Sequence, residues 1–246
     1  MSSHLKNIPL PPTEQPLVIK AKTVLETIKE KIYSFLHIPY KKRSNLLSKK
    51  DIFKIYILAR KGDIFLVGDF KSPGNILVPG AFTHTAFYLG KKNIIHSTIN
   101  VDNKKQGVQY STLKEFVRTY DTFAILRLPR NIKNRHKIIK NAIEYAKLQL
   151  GKPYKSYFRG EKSHFFCTQL VNKAYEFAGY NTKIKSIKPF RTTADKIEKN
   201  ILNVTHWLKP IEFMHSNFRI VFLSHNLAYN GKEILIRKDK LPKDIR

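Results

Sequence analysis

A chain of 246 residues, 42% of them apolar, can bury a sizeable core as one domain with extensions. One cysteine in that length excludes a disulfide framework and a multi-thiolate zinc site, and no apolar run is long enough to span a bilayer. A formal charge of +28 favours contact with nucleic acid, anionic membrane or an acidic partner, although lysines spread along the whole chain are equally the mark of a compositional bias.

The first residues lack the pattern of a secretory signal, so the expected location is the cytoplasm, or a destination reached without a classical signal peptide. Pro9, Pro11, Pro12 and Pro16 predict an extended arm. From Val18 to Leu36, Ala21, Leu25, Ile28, Ile32 and Phe35 recur at three- and four-residue spacing and predict a helix with one apolar face. "KKRSNLLSKK", Lys41 to Lys50, reads as a basic linker, either a solvated loop or a contact for lipid headgroups. Residues 1–50 are therefore set apart as arm, helix and linker, with the main domain expected over 51–246.

After Gly62 the texture changes to short strands. "GDIFLVGDF", "HTAFYLG", "NIIHSTI" and "FAILRLP" are the candidates, the middle two flanking the turn "GKKN". Ser111 to Tyr120 reads as a short helix with Ser111 as its cap and Leu113, Phe116 and Val117 inward. A second helix, Ile132 to Leu150, is stopped by Gly151 and Pro153. "FRIVFLS" and "KEILIRK" are late strands that complete or edge the sheet. Strands clustered around helices, without regular alternation, place the chain in the α+β class.

The helix opening near Phe166 carries the single thiol. Cys167, Leu170, Val171, Ala174, Phe177 and Ala178 share one face, so Cys167 points toward the core. A small apolar filler is one reading of such a residue. The other follows from its place in the first turn, where unpaired backbone N–H groups and the positive helix end stabilise a thiolate, lower its pKa and offer donors to an oxyanion. His84 and His96, in neighbouring predicted strands, are the candidate proton carriers. A three-residue turn between the strands sets both on one face, and a two-residue turn opposes them. Even on one face, His96 then lies opposite Tyr88, and contact with His84 requires a bulge or strong twist.

The motifs "GDIF", "VPGAFTHTAFYLG", "IIHST", "GVQYSTLKEFV", "LGKPY" and "FFCTQLVNKAYEFAG", between about Lys61 and Tyr180, together resemble the circularly permuted NlpC-type, papain-like cysteine hydrolases. The likeness is to the YiiX-like group and, more distantly, to lecithin:retinol acyltransferase-like enzymes. It implies a papain-like α+β domain, with an antiparallel sheet packed on a nucleophile-bearing helix. It implies Cys167 as nucleophile, His84 as general base and then acid, and His96 as the group orienting His84. Many YiiX-like sequences have a glutamate where His96 stands. Tyr154 matches the family's tyrosine ahead of the nucleophile, with substrate binding or packing as its role.

The expected chemistry is cleavage of an amide or ester through a thioester on Cys167, by hydrolysis or acyl transfer, with an acyl or peptidyl substrate and an anionic membrane surface as partners. No Gly-rich phosphate loop, metal-ligand cluster or RNA-binding signature appears, so no cofactor, metal or specific nucleic acid is expected. His164 reads as a solvated loop residue. The rival is a non-catalytic basic module of the same fold that binds membrane, nucleic acid or a protein partner.

Overall fold

Four consecutive apolar residues, Ile64 to Val67, form a strand whose two faces are both covered. The computed structural model, which describes residues 45–70, 80–100, 105–154, 165–184 and 208–242, builds a six-stranded sheet around it. In chain order the elements are α1 (Lys49–Leu58), β1 (Ile64–Gly68), β2 (His84–Gly90), β3 (Asn93–Asn100), β4 (Lys105–Thr112), α2 (Leu113–Thr119), β5 (Thr122–Arg127), α3 (Arg135–Lys147), α4 (Cys167–Phe177), a 3-10 turn (Pro210–His215), β6 (Arg219–Leu223), β7 (Leu227–Tyr229) and β8 (Ile234–Ile236). The proline arm, the amphipathic segment Val18 to Leu36 and His164 lie outside the described residues.

The sheet runs β4-β3-β2-β1-β5-β6, and every neighbouring pair is antiparallel. Alternation sends Ile64, Leu66, Phe87 and Ile95 to one face, where Ile139, Ile143 and Ala146 of α3 and Leu170, Val171, Ala174 and Tyr175 of α4 cover them. Phe65, Val67, Ala86, Tyr88 and Ile94 go to the other, beneath Ile55 of α1 and Leu113, Phe116 and Val117 of α2. Burial on both faces explains why β1 and β5 read as unbroken apolar runs. At roughly 1.5–3 kcal/mol for each large side chain fully removed from water, these two layers are the main driving force of the fold. No described helix is long and apolar enough to cross a membrane.

Several local expectations are corrected. Residues 48–50 are not linker: Ser48 caps α1 through a reciprocal box with Asp51, and Asp51 also receives the His225 backbone N–H. The cap of α2 is Thr112, one residue later than expected; it accepts from Glu115 N–H while Glu115 accepts from Thr112 N–H. The polar stretch Lys105–Thr112 is a full strand, because the cross-strand ladder to β3 compensates for its few apolar side chains. "FRIVFLS" edges the sheet as β6, whereas "KEILIRK" pairs with β7 in a separate hairpin. On α4 the residue after Ala174 that is buried is Tyr175, while Phe177 is 65% exposed and lies against Tyr145.

Candidate active site

The β2–β3 connection decides how the two histidines meet. Its turn has two residues, Lys91 and Lys92, both at positive φ, as a tight hairpin turn requires. Such a turn alone places His84 and His96 on opposite faces. The register shifts between Tyr88 and Gly90, where Leu89 is the extra residue of a bulge, and the pairing continues as Tyr88 with Ile94 and Phe87 with Ile95. One more step in this register sets His96 across from Ala86, on the same face as His84 and diagonal to it, within reach of two rings. The bulge therefore does what neither turn length does alone. His84 Nε2 lies 2.9 Å from His96 Nδ1.

A second diagonal step continues the chain of polar groups. His96 pairs with Gln109 on β4, so Ser111 is its diagonal neighbour, and Ser111 Oγ lies 2.9 Å from His96 Nε2. Because Thr112 caps α2, the Ser111 hydroxyl serves the histidine pair and not the helix. Sequence reading placed Ser111 as a cap; the signal that separates the roles is the residue three positions on, since Glu115 completes a box with Thr112.

Burial sets the charge of this array. His84 and His96 are 8% and 5% exposed, and Phe116 lies against both rings. Desolvation lowers the His96 pKa to about 3, so the ring is neutral at physiological pH. A neutral His96 that accepts at Nδ1 carries its proton on Nε2 and donates it to Ser111 Oγ. His84 then donates from Nε2 to His96, which leaves Nδ1 as its proton-accepting nitrogen. Tyr120, at the end of α2, stacks on His84 with ring planes 8° apart and centroids 5.9 Å apart.

Cys167 begins α4, as the chain pattern predicts, and is 7% exposed. The backbone N–H groups of Thr85, Thr168 and Cys167 itself act on the thiol in the direction that favours thiolate. Thr85 is the residue after His84 and lies beyond the paired stretch of β2 and β3, so the start of α4 is seated where these strands part. Ser97 of β3 fixes the same turn by donating to the Phe165 carbonyl at 2.5 Å. Tyr120 lies between the two residues: it stacks on His84, and its hydroxyl pKa is raised by burial and further by the Cys167 thiol and Asp69. The expected lowering of the thiol pKa is overturned. Burial pushes it up to about 11, outweighing the three N–H groups that favour thiolate. The resting group is therefore a thiol, which needs a base to become a nucleophile.

Tyr154 meets Phe166, the residue before Cys167, edge to face at 5.6 Å. Its strand-side support is Val108, which donates to the Lys152 carbonyl at 2.8 Å and accepts from Gly151 N–H at 2.9 Å. The structure thus sets both Cys167 and His84 near Tyr120, bonds His96 to His84, and seats Tyr154 beside the residue before α4.

A family model described as a permuted papain-like amidase enzyme, YaeF/YiiX, C92 family, matches residues 58–222. The crystal structure of the metalloprotein yiiX from Escherichia coli O157:H7 superposes with a TM-score of 0.50 at 18% sequence identity, covering 67% of this chain and 97% of that one. At that identity the likeness speaks for the fold. A search of curated proteins gave no match.

Proposed function

The chain belongs to the permuted papain-like amidase family and is a hydrolase of the papain-like type, and from this premise we propose that Cys167 cleaves an amide bond through a thioester. The observation that carries the assignment is the 2.9 Å contact of His84 Nε2 with the neutral His96; in the tautomer in which His84 is the donor of this bond, its Nδ1 is the base. In the first half-reaction His84 takes the Cys167 proton as sulfur attacks the substrate carbonyl carbon. The oxyanion faces the N–H groups at the start of α4, and His84 returns the proton to the departing amine. Water, activated by His84, then attacks the thioester; the thiol leaves with the proton and the acid is released. An acceptor hydroxyl or amine in place of water makes the same site a transferase, and an ester in place of the amide changes only the leaving group.

The solved neighbour is described as a metalloprotein. Among the described residues of this chain, no group of three His, Cys, Asp or Glu side chains is arranged to hold a metal ion. Both nitrogens of His96 are also engaged, by His84 and Ser111. This donor set does not fit a metal, and no step above is routed through one.

The test uses p-nitrophenyl acetate, whose good leaving group makes acylation visible without knowledge of the natural substrate. We expect a burst of p-nitrophenol and one hydroxylamine-labile acetyl group on Cys167 by intact mass. His84→Ala should slow the burst by about 10²–10⁴-fold, the usual contribution of a general base. A burst of equal rate in His84→Ala, or acetylation confined to hydroxylamine-stable lysine amides, would overturn the assignment.

A further inference from the structure

A cavity opens toward the other end of the sheet from His84. His84 pairs with Val67, near the end of β1, whereas the cavity of about 360 Å³ opens beside Lys61, before that strand starts. The strand Ile64–Val67, about 10 Å at ~3.3 Å per residue, and the Arg60–Asp63 turn that precedes it separate the cavity from Val67. The cavity is lined by Arg60, Lys61, Arg127, Arg130, Arg135, His136 and Lys140 around an Ile139 floor.

Four of the chain's eleven arginines converge there, in a protein whose basic residues are mostly lysine. A general lysine bias does not produce that concentration, and arginine is the side chain whose planar fork matches phosphate oxygens two at a time. Among the described residues Arg127 is ion-paired with the buried Asp63, which accepts from its Nε and guanidinium nitrogens at 2.7 Å and also lies in the field of Arg135. Arg135 donates to the Leu128 carbonyl. Among the described residues, Arg60, Lys61, Arg130, His136 and Lys140 have no ion pair and no side-chain hydrogen bond. Gathering Arg60, Lys61, Arg130 and Lys140 in one concavity without an ion-paired anion is a repulsive arrangement that a multivalent anion relieves.

Helix α3 adds to the same field. A helix N-terminus is positive and usually carries acidic residues, yet the first turn of α3 holds no acid, and two of its residues, Arg135 and His136, line the cavity. Its N-cap, Asn134, is left-handed and makes no side-chain cap. The first-turn N–H groups are therefore left for an external acceptor, as at phosphate-binding helix ends.

We propose that this cavity binds a phosphate-bearing ligand, its phosphate held by Arg60, Arg130 and the start of α3. The proposal is independent of the thioester chemistry. Its test uses the full chain and four probes: inorganic phosphate, a soluble inositol trisphosphate, phosphatidylcholine vesicles carrying phosphatidylinositol bisphosphate, and phosphatidylserine vesicles of matched charge. The exposed pair Arg60→Ala/Arg130→Ala is compared with an equal charge loss elsewhere, Lys114→Ala/Lys232→Ala, after unchanged melting of both is verified. We expect the arginine pair to weaken inositol trisphosphate or bisphosphate-vesicle binding at least tenfold, and the lysine pair less than twofold. Binding of the soluble headgroup, competed by inorganic phosphate, assigns a free phosphate ester; binding only in the bilayer assigns a lipid headgroup. Equal loss in the two double variants, equal binding to phosphatidylserine vesicles, or no binding of either phosphorylated probe overturns the site.

Discussion

His96 makes two hydrogen bonds with its ring and holds no charge, and both facts have consequences for pH. Its folded pKa of about 3 lies below the ordinary value of 6.5. Between these values the unfolded chain binds a proton that the folded chain refuses, so unfolding is favoured as pH falls. The contribution is fully present above about 6.5 and is lost progressively toward 3. At about 1.4 kcal/mol per pKa unit the loss reaches several kcal/mol. Urea unfolding across this window should show a falling midpoint in the unmodified protein and a shallower fall in His96→Gln, whose amide does not titrate. Equal slopes would mean that His96 is charged in the fold, and the tautomer chain from His84 to Ser111 would lose its basis. The same substitution keeps a hydrogen-bonding group beside His84, so His96→Gln should retain more of the p-nitrophenol burst than His96→Ala does.

At the scale of elements, the "GKPY" turn shows how a glycine holds a site residue in place. Gly107 of β4 has φ of +113°, and a Cβ there would stand 2.1 Å from the Lys152 carbonyl oxygen. Backbone against backbone offers no room to yield. Gly107→Ala should therefore lift the Gly151–Tyr154 turn off β4 and cost roughly 2 kcal/mol or more in urea unfolding, from the strained φ and the lost contact. Unchanged stability would show that the turn is not seated there. Such a close approach is invisible in sequence, where Gly107 is one glycine among ten. The same limit explains the other misses. The apolar runs of β1, β2, β3 and β5 were legible because both faces of the sheet are buried, and the start of α4 because its apolar period begins at Cys167. The strand β4 was not, since its polar residues reveal a strand only through their ladder to β3. Nor was the bulge at Leu89, because two-residue and three-residue readings of "GKKN" look alike until the partner strand is known. A two-residue turn alone opposes the two histidines; that their contact requires a bulge or strong twist was legible, but which of these the strands adopt was not.

For the whole molecule, the central question is how the helix that carries Cys167, the proposed nucleophile, is held against the sheet that carries His84, the proposed base. Near its start α4 is tied by the Ser97 hydroxyl on the Phe165 carbonyl. Two turns later the Tyr175 hydroxyl donates to the buried Gly62 carbonyl, ahead of β1. Beyond the helix, the Tyr180 hydroxyl donates to the Asn217 carbonyl. These anchors serve different purposes. Tyr175→Phe leaves the Gly62 carbonyl buried and unpaired, which costs about 1–3 kcal/mol, yet it leaves the sulfur and its neighbours in place. Ser97→Ala removes a bond of comparable worth but frees the turn that aims Cys167. The expected result is a split: Tyr175→Phe lowers the urea midpoint while its burst rate well below melting stays within about twofold, and Ser97→Ala slows the burst by about tenfold or more for a similar loss of stability, because misplacement by a fraction of an ångström is costly in a positioned reaction. If the two variants lose rate in proportion to stability, α4 behaves as one rigid unit and the separation of anchoring from aiming fails.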